Sequence, residues 1–155
     1  MIKKIKKNKG FVLLFAVTLA AIFLSIALGI ASVSLKEVNF STSVKNSNDA
    51  FYSADTGIEC ALYYDKTGVF IDPSTPTINC NGVNINVSEP SSSIWNFIVP
   101  NLDSTSQGCA IVQVDKSSDV TSPATTSITA YGYNIGGSSC NKPSNVVERV
   151  LQTNY

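Results

Sequence analysis

From Phe11 to Leu35 the chain runs for 25 residues without a charge, and 20 of these are apolar. About 20 apolar residues in helical form span the ~30 Å hydrocarbon core of a bilayer, so this run can cross it with residues to spare. Ahead of it, Lys3, Lys4, Lys6, Lys7 and Lys9 make residues 1–10 a basic leader. By the positive-inside rule the leader stays in the cytoplasm, and everything after Leu35 lies outside. An ordinary secretory signal has the same basic start, but its apolar region is typically about 7–15 residues and so shorter than this one. Residues 11–35 are therefore read as one transmembrane helical segment, anchored by Phe11, Leu14, Phe15, Leu19, Phe23 and Leu28.

With that run set aside, 48 apolar residues remain in the other 130. That is the fraction of one small exported domain and not of a second span. The total charge is 11 − 11 = 0, but without the first ten residues it becomes 6 − 11 = −5. An acidic remainder argues against nucleic-acid contact, which needs clustered cations to neutralise phosphates. The chain has no histidine, which removes His-based triads, most zinc sites and the usual neutral-pH proton shuttle. It also lacks a Gly-rich phosphate loop, a Cys-x-x-Cys pair and a His-Glu-x-x-His motif. The expectation is a protein that is not an enzyme, with no catalytic residue, metal, cofactor or small-molecule substrate. Cys60, Cys80, Cys109 and Cys140 are widely spaced and even in number, which suits two disulfides in an oxidising compartment. Three pairings are open to them, and spacing alone does not choose.

The helical signal continues beyond the membrane surface. All six prolines, Pro73, Pro76, Pro90, Pro100, Pro123 and Pro143, fall after residue 72, so the strongest helix breaker is absent from the first part of the chain. Phe40, Val44, Ser47, Phe51, Ala54, Ile58 and Ala61 recur at spacings of 4 and 3, which marks one stripe of a helix. Residues 36–65 are read as an amphipathic extracytoplasmic half of the same helix. From Phe11 to about Tyr64 it would extend ~80 Å at 1.5 Å per residue. Its apolar stripe needs a cover, and residues 66–155 are the candidate.

In the family known to have such a start, Lys9-Gly10-Phe11 followed at once by an apolar run resembles the signal of type IV pilins and type II secretion pseudopilins. The later stretch Ala50-Phe51-Tyr52-Ser53-Ala54-Asp55-Thr56-Gly57-Ile58-Glu59-Cys60-Ala61-Leu62 is similar to the A-F-x-A-A-E-A-G-I-E-x-A-L segment of PilX-like minor pilins. The resemblance covers residues 4–64. It implies cleavage by a prepilin peptidase between Gly10 and Phe11, and N-methylation of Phe11. It further implies a helix packed among other pilin subunits on a membrane assembly platform, ending in a surface filament. Within the second segment it points to Phe51, Ala54, Gly57, Ile58, Glu59 and Ala61 as a subunit-packing motif. For Ala50, Ala54 and Ala61, packing within the subunit's own core is the favoured use.

Two positions depart from the family pattern. Most major pilins carry glutamate at the fifth mature position, where this chain has Phe15. A carboxylate there costs about 2.5–3.5 kcal/mol in the bilayer unless a neighbouring amino terminus offsets it. A subunit that begins a filament has no such neighbour, so Phe15 suits a minor, initiating or tip-proximal subunit. Ser32 stands where many pilins have proline, leaving Gly29 and the nearby serines as the places for any local melting. Asp55 and Glu59 form a like-charge i, i+4 pair, for which Arg149 or Lys66 is the expected partner.

After Lys66 the pattern turns to short β-branched and aromatic runs: Val83 to Val87, Ile94 to Val99, Cys109 to Val114, Ile128 to Ile135 and a terminal strand within Val146 to Tyr155. Asp72-Pro73-Ser74, Glu89-Pro90-Ser91 and Gly136-Gly137 read as turns. An antiparallel sheet of about four strands would cover the helix, giving an α+β, pilin-like fold. Given this layout, the favoured bridges are Cys60 with Cys80, from helix end to first loop, and Cys109 with Cys140, from strand to loop. Trp95, Tyr131 and Tyr133 are expected in the core or at its edge, with an adhesive carbohydrate surface as the alternative. Three functions compete: a minor pilin-like structural subunit, an unprocessed single-span surface protein with a binding β-domain, and, third, an exported enzyme.

Overall fold

The computed structural model describes residues 9–71, 76–91, 93–103, 106–116 and 125–155. The leader residues 1–8 and the expected turn Asp72-Pro73-Ser74 lie outside them. The fold is α+β, one long N-terminal helix and a small antiparallel sheet. Helix α1 runs Lys9–Lys66, and the chain divides into two compact units, Met1–Thr42 and Ser43–Tyr155. In the first unit the helix is unbroken through Gly29 and Ser32. In the second unit the helix continues from Ser43 and ends at Lys66. There Gly68, at φ +79°, takes the left-handed conformation that glycine adopts without steric cost.

A short 3-10 turn, Val69–Ile71, leads to strands β1 (Thr77–Cys80) and β2 (Val83–Asn86). They pair antiparallel around Asn81-Gly82, with φ of 51° and 77°. Two central residues at positive φ in a two-residue loop match the strand twist, which is why Asn-Gly closes this hairpin. A separate five-stranded antiparallel sheet has the order β3-β4-β5-β6-β7. Its strands are β3 (Ser88–Ser91), β4 (Ile94–Leu102), β5 (Gly108–Asp115), β6 (Ser127–Tyr133) and β7 (Glu148–Asn154).

Four of the five expected runs became strands with shifted ends, the terminal run included, and Val83 to Val87 became β2. Glu89-Pro90-Ser91 is not a turn: it belongs to β3, an irregular edge strand with a register shift between Ser88 and Ser91. An edge position tolerates Pro90 because no ladder partner needs its missing N–H. In the same way Pro100 does not end β4. The strand passes it through a register shift between Val99 and Leu102, with Asn101 at φ 54°.

The sheet has two unlike faces, set by the alternation of side chains along each strand. Trp95, Phe97 and Val99 of β4, Ala110, Val112 and Val114 of β5, and Ile128 and Ala130 of β6 are buried on one face. With Ala54, Ile58 and Ala61 of α1 and with Phe70, they form the main core. Phe70 is its hinge aromatic, with ring centroids 5.9 Å from Trp95 and 6.2 Å from Phe97. Burying each such side chain contributes about 1.5–3 kcal/mol. On the other face the register places Ile98, Ile111, Tyr131 and Val150 in one row across four strands. The adjacent row is Asn96, Gln113, Thr129 and Gln152.

Candidate functional site

In the first unit every anchor residue is exposed: Phe11, Leu14, Phe15, Leu19, Phe23 and Leu28 are between 38% and 75% accessible. Mean hydropathy reaches 2.8 over the most apolar window of α1, and none of that window is buried within the protein. Apolar surface on all sides of a helix is far larger than the few hundred Å² that soluble monomers leave open. The helix is thus long and apolar enough to cross a membrane. Two of its hydroxyls bond back to the helix: Thr18 Oγ1 donates to Phe15 O at 2.9 Å, and Ser25 Oγ to Ile22 O at 2.8 Å. Such back-bonding keeps a polar side chain from carrying an unmet donor into lipid. Gly10 and Phe11, the expected cleavage and methylation residues, lie in the first described turn of α1.

In the second unit the helix motif is split between two faces. Ala50, Ser53, Ala54, Gly57, Ile58 and Ala61 are buried, while Phe51 is 43% exposed and Glu59 is exposed. The expected stripe is therefore rotated: Phe40 and Val44 are also exposed, and small residues take the inner face. A 3.5-residue spacing drifts by about 20° per heptad against a 3.6-residue helix, and close approach of the sheet decides which side chains can face it. Gly132 on β6 lies directly beneath the backbone of Ala50 and Ala54, where a Cβ would collide with Ala50 O and Ala54 N. From the helix side, a Cβ on Gly57 would stand 2.8 Å from Val112 Cγ2 and 3.1 Å from Ala110 Cβ. Helix and sheet approach closely at two glycines, Gly132 beneath Ala50 and Ala54 and Gly57 above Ala110 and Val112, and a phenylalanine has no room between them. Phe51 is displaced to the flank, edge-on to Tyr52 at 5.7 Å.

The expected partner for Asp55 and Glu59 is not found among the described residues. Arg149 instead donates from Nε and Nη2 to Ser47 Oγ, at 2.9 and 2.6 Å, and Lys66 makes no described ion pair with either acid. Asp65, one residue before the helix end, has the contact that the sequence did not signal. Its nearly buried carboxylate pairs with Lys116 and accepts a hydrogen bond from the hydroxyl of Tyr155. Burial first, and the Asp65 carboxylate next, hold the Tyr155 hydroxyl well above the ordinary tyrosine range. These residues are 51 and 90 positions apart in the chain, so no local pattern marks them.

Both favoured disulfides form. Cys60–Cys80 joins the end of α1 to β1 with Cα atoms 5.9 Å apart, and Cys109–Cys140 joins β5 to the segment after β6 at 5.6 Å. The second bridge closes one end of the outer sheet face, where Cys109, Tyr133 and Cys140 are buried against Ile98, Ile111, Tyr131 and Val146. The ammonium of Lys142 lies 4.7 Å above the Tyr133 ring and pairs with Glu148 at 3.5 Å. Trp95 and Tyr133 are core residues, at 3% and 1% accessibility. Tyr131 is half-exposed on the outer face. Among the described residues no group of three or more His, Cys, Asp or Glu comes together as a metal site. Compared with protein-family models, with curated proteins and with solved structures, the chain matches none.

Proposed function

We infer that this chain is a minor pilin-like or pseudopilin-like structural subunit. A prepilin peptidase cuts it after Gly10, Phe11 is N-methylated, and the helix enters a type IV pilus or type II secretion-like filament during assembly or initiation. Its partners are the peptidase, other pilin subunits, the membrane and the assembly platform. Its role is mechanical, and no reaction belongs to the chain itself. In this reading it is single-pass, with residues 1–10 cytoplasmic and residues 36–155 extracytoplasmic, and it becomes extracellular in the surface filament.

The observation that supports the reading best is the contrast within α1. Its apolar first part has no cover among the described residues, while its later part is held on the sheet through small residues, Gly57 among them. A helix with those two uses suits a subunit that leaves lipid for a filament interior and keeps its own domain. Phe15 narrows the position. Without a carboxylate there, the subunit has nothing to attract the amino terminus of a neighbour, so it stays rare and near the filament end. Tagged wild-type and Phe15→Glu subunits, located in sheared filaments, test this. Wild type is expected at low copy near one end and the variant along the shaft. Wild type at high copy throughout would remove the minor-subunit assignment.

A further inference from the structure

The two rows on the outer face of the sheet lie away from the face that carries the helix. They border a concave site of about 540 Å³ that Ser88, Asn96, Ile98, Ile111, Gln113 and Tyr131 help to line. Sites for small ligands run to roughly 300–1,000 Å³. The size of this one suits a short stretch of a slender ligand.

The chemistry of the lining narrows the ligand. Among the described residues no charged side chain lines the site, and beyond residue 10 the chain carries 6 bases against 11 acids. Anions find no counter-charge there, and a cation finds no lining carboxylate to pair with. The side-chain amides of Asn96 and Gln113, directly paired across β4 and β5, make no hydrogen bond to the described residues. Each amide offers donors and an acceptor side by side, and a hydroxyl, itself both donor and acceptor, answers both. The row beside them is apolar, with the half-exposed Tyr131 ring between Ile111 and Val150. A ligand that presents hydroxyls along one edge and C–H groups along its face satisfies both rows at once.

We propose that the groove along Ile98, Ile111 and Tyr131, edged by Asn96 and Gln113, binds a neutral oligosaccharide. Tyr131 and the two isoleucines take the C–H face of the sugar, and the Asn96 and Gln113 amides bond its hydroxyls. The site lies on the sheet face opposite the one that carries the helix, so it does not depend on cleavage at Gly10. Ile98, Ile111 and Tyr131 pack against the cluster that holds the Cys109–Cys140 bridge, beside the row.

The test is a titration of the full-length protein in detergent micelles with cellohexaose, chitohexaose and maltohexaose, with an oligogalacturonate of equal length as the anionic control. The readout is the NMR shifts of the Asn96 and Gln113 side-chain amides and of the Ile98 and Ile111 methyls. At least one neutral hexamer is expected to move these signals to saturation, and the uronate is not. Tyr131→Ala is expected to weaken binding about tenfold, and Gln113→Ala several-fold. Gln113 is a half-exposed surface position, so that variant retains the fold if Tyr131→Ala does not. Three results would each overturn the proposal: no neutral hexamer moving these signals up to ~10 mM, an equal response to the uronate, or wild-type affinity in Gln113→Ala.

Discussion

Residues 11–35 and 43–66 belong to one helix and draw on the same stock of apolar and small side chains, yet they meet opposite surroundings. In the first stretch Phe, Leu and Ile are exposed on all sides, and in the second a sheet buries alanine and glycine while Phe51, Tyr52 and Tyr63 stay out. Helix formation alone therefore says little about where a helix will bury its surface. The partner decides: lipid accepts any large apolar side chain at any angle, whereas a sheet at close range accepts only what leaves room for its own backbone. Glycine shows the difference most clearly, because Gly29 has nothing within 4 Å of where a Cβ would stand, and Gly132 has the helix backbone there.

Substitution at Gly132 should break that comparison most severely. In Gly132→Ala the new methyl meets backbone atoms of Ala50 and Ala54, which cannot turn aside as a side chain would. The domain should lose about 3 kcal/mol or more, seen as a lower denaturation midpoint by near-ultraviolet circular dichroism, with membrane insertion unaffected. Wild-type stability would mean that helix and sheet do not approach so closely.

Removing the bridges should separate the two regions by a similar amount. The cysteines are 20 and 31 residues apart in the two bridges, and closing loops of that size is worth about 3–4 kcal/mol each. Cys60→Ala/Cys80→Ala, or a reductant, should destabilise the sheet domain while the chain stays in the membrane fraction. Four thiols freely alkylated in the native protein would contradict it.

The same glycine-to-alanine change should have opposite signs in the two stretches of α1. At Gly57 the Val112 methyl must give way, for a loss of about 1–2 kcal/mol. At Gly29 the space is open and alanine is the better helix former by about 1 kcal/mol, so no loss is expected. Parallel thermal melts of the two variants decide it, and an equal loss in both would erase the distinction drawn between them.

The smallest effect should appear in alkali. Tyr155 and Tyr133 both have hydroxyls held above the ordinary tyrosine value, chiefly by burial. Below pH ~10 both are neutral, folded or unfolded, and their full contribution is present. As pH rises past that point the unfolded chain ionises first and stability falls. Tyr155→Phe, which cannot ionise, should lower stability near neutral pH and flatten its decline above pH ~10. A decline as steep as wild type would mean that the Asp65 contact contributes nothing to it.

The sequence makes the fold legible wherever local periodicity coincides with burial. The uncharged run and the alternating segments that became β2 and β4 to β7 follow from short stretches read one at a time, whereas the cysteine pairing needed the layout of helix and strands. Hairpin β1–β2 went unread although Asn81-Gly82 is a strong turn signal, because Thr77–Cys80 is short and only its alternate residues are buried. The rotated helix face could not be read, since it depends on a glycine of β6 lying under Ala50 and Ala54. The Asp65, Lys116 and Tyr155 contact, and the bond from Arg149 to Ser47, join distant positions and leave no periodic trace. The outer rows became visible only once the strand register was known.

The proposed function depends on cleavage after Gly10. The intact mass of the chain should be measured after recovery from membranes of cells that hold a prepilin peptidase, alongside Gly10→Leu. The expected result is a chain that begins at Phe11 with one methyl group added, with the variant inserted in the membrane but uncut. Recovery of wild type with residues 1–10 still attached would contradict the pilin-like assignment and leave a single-span surface protein that is never processed.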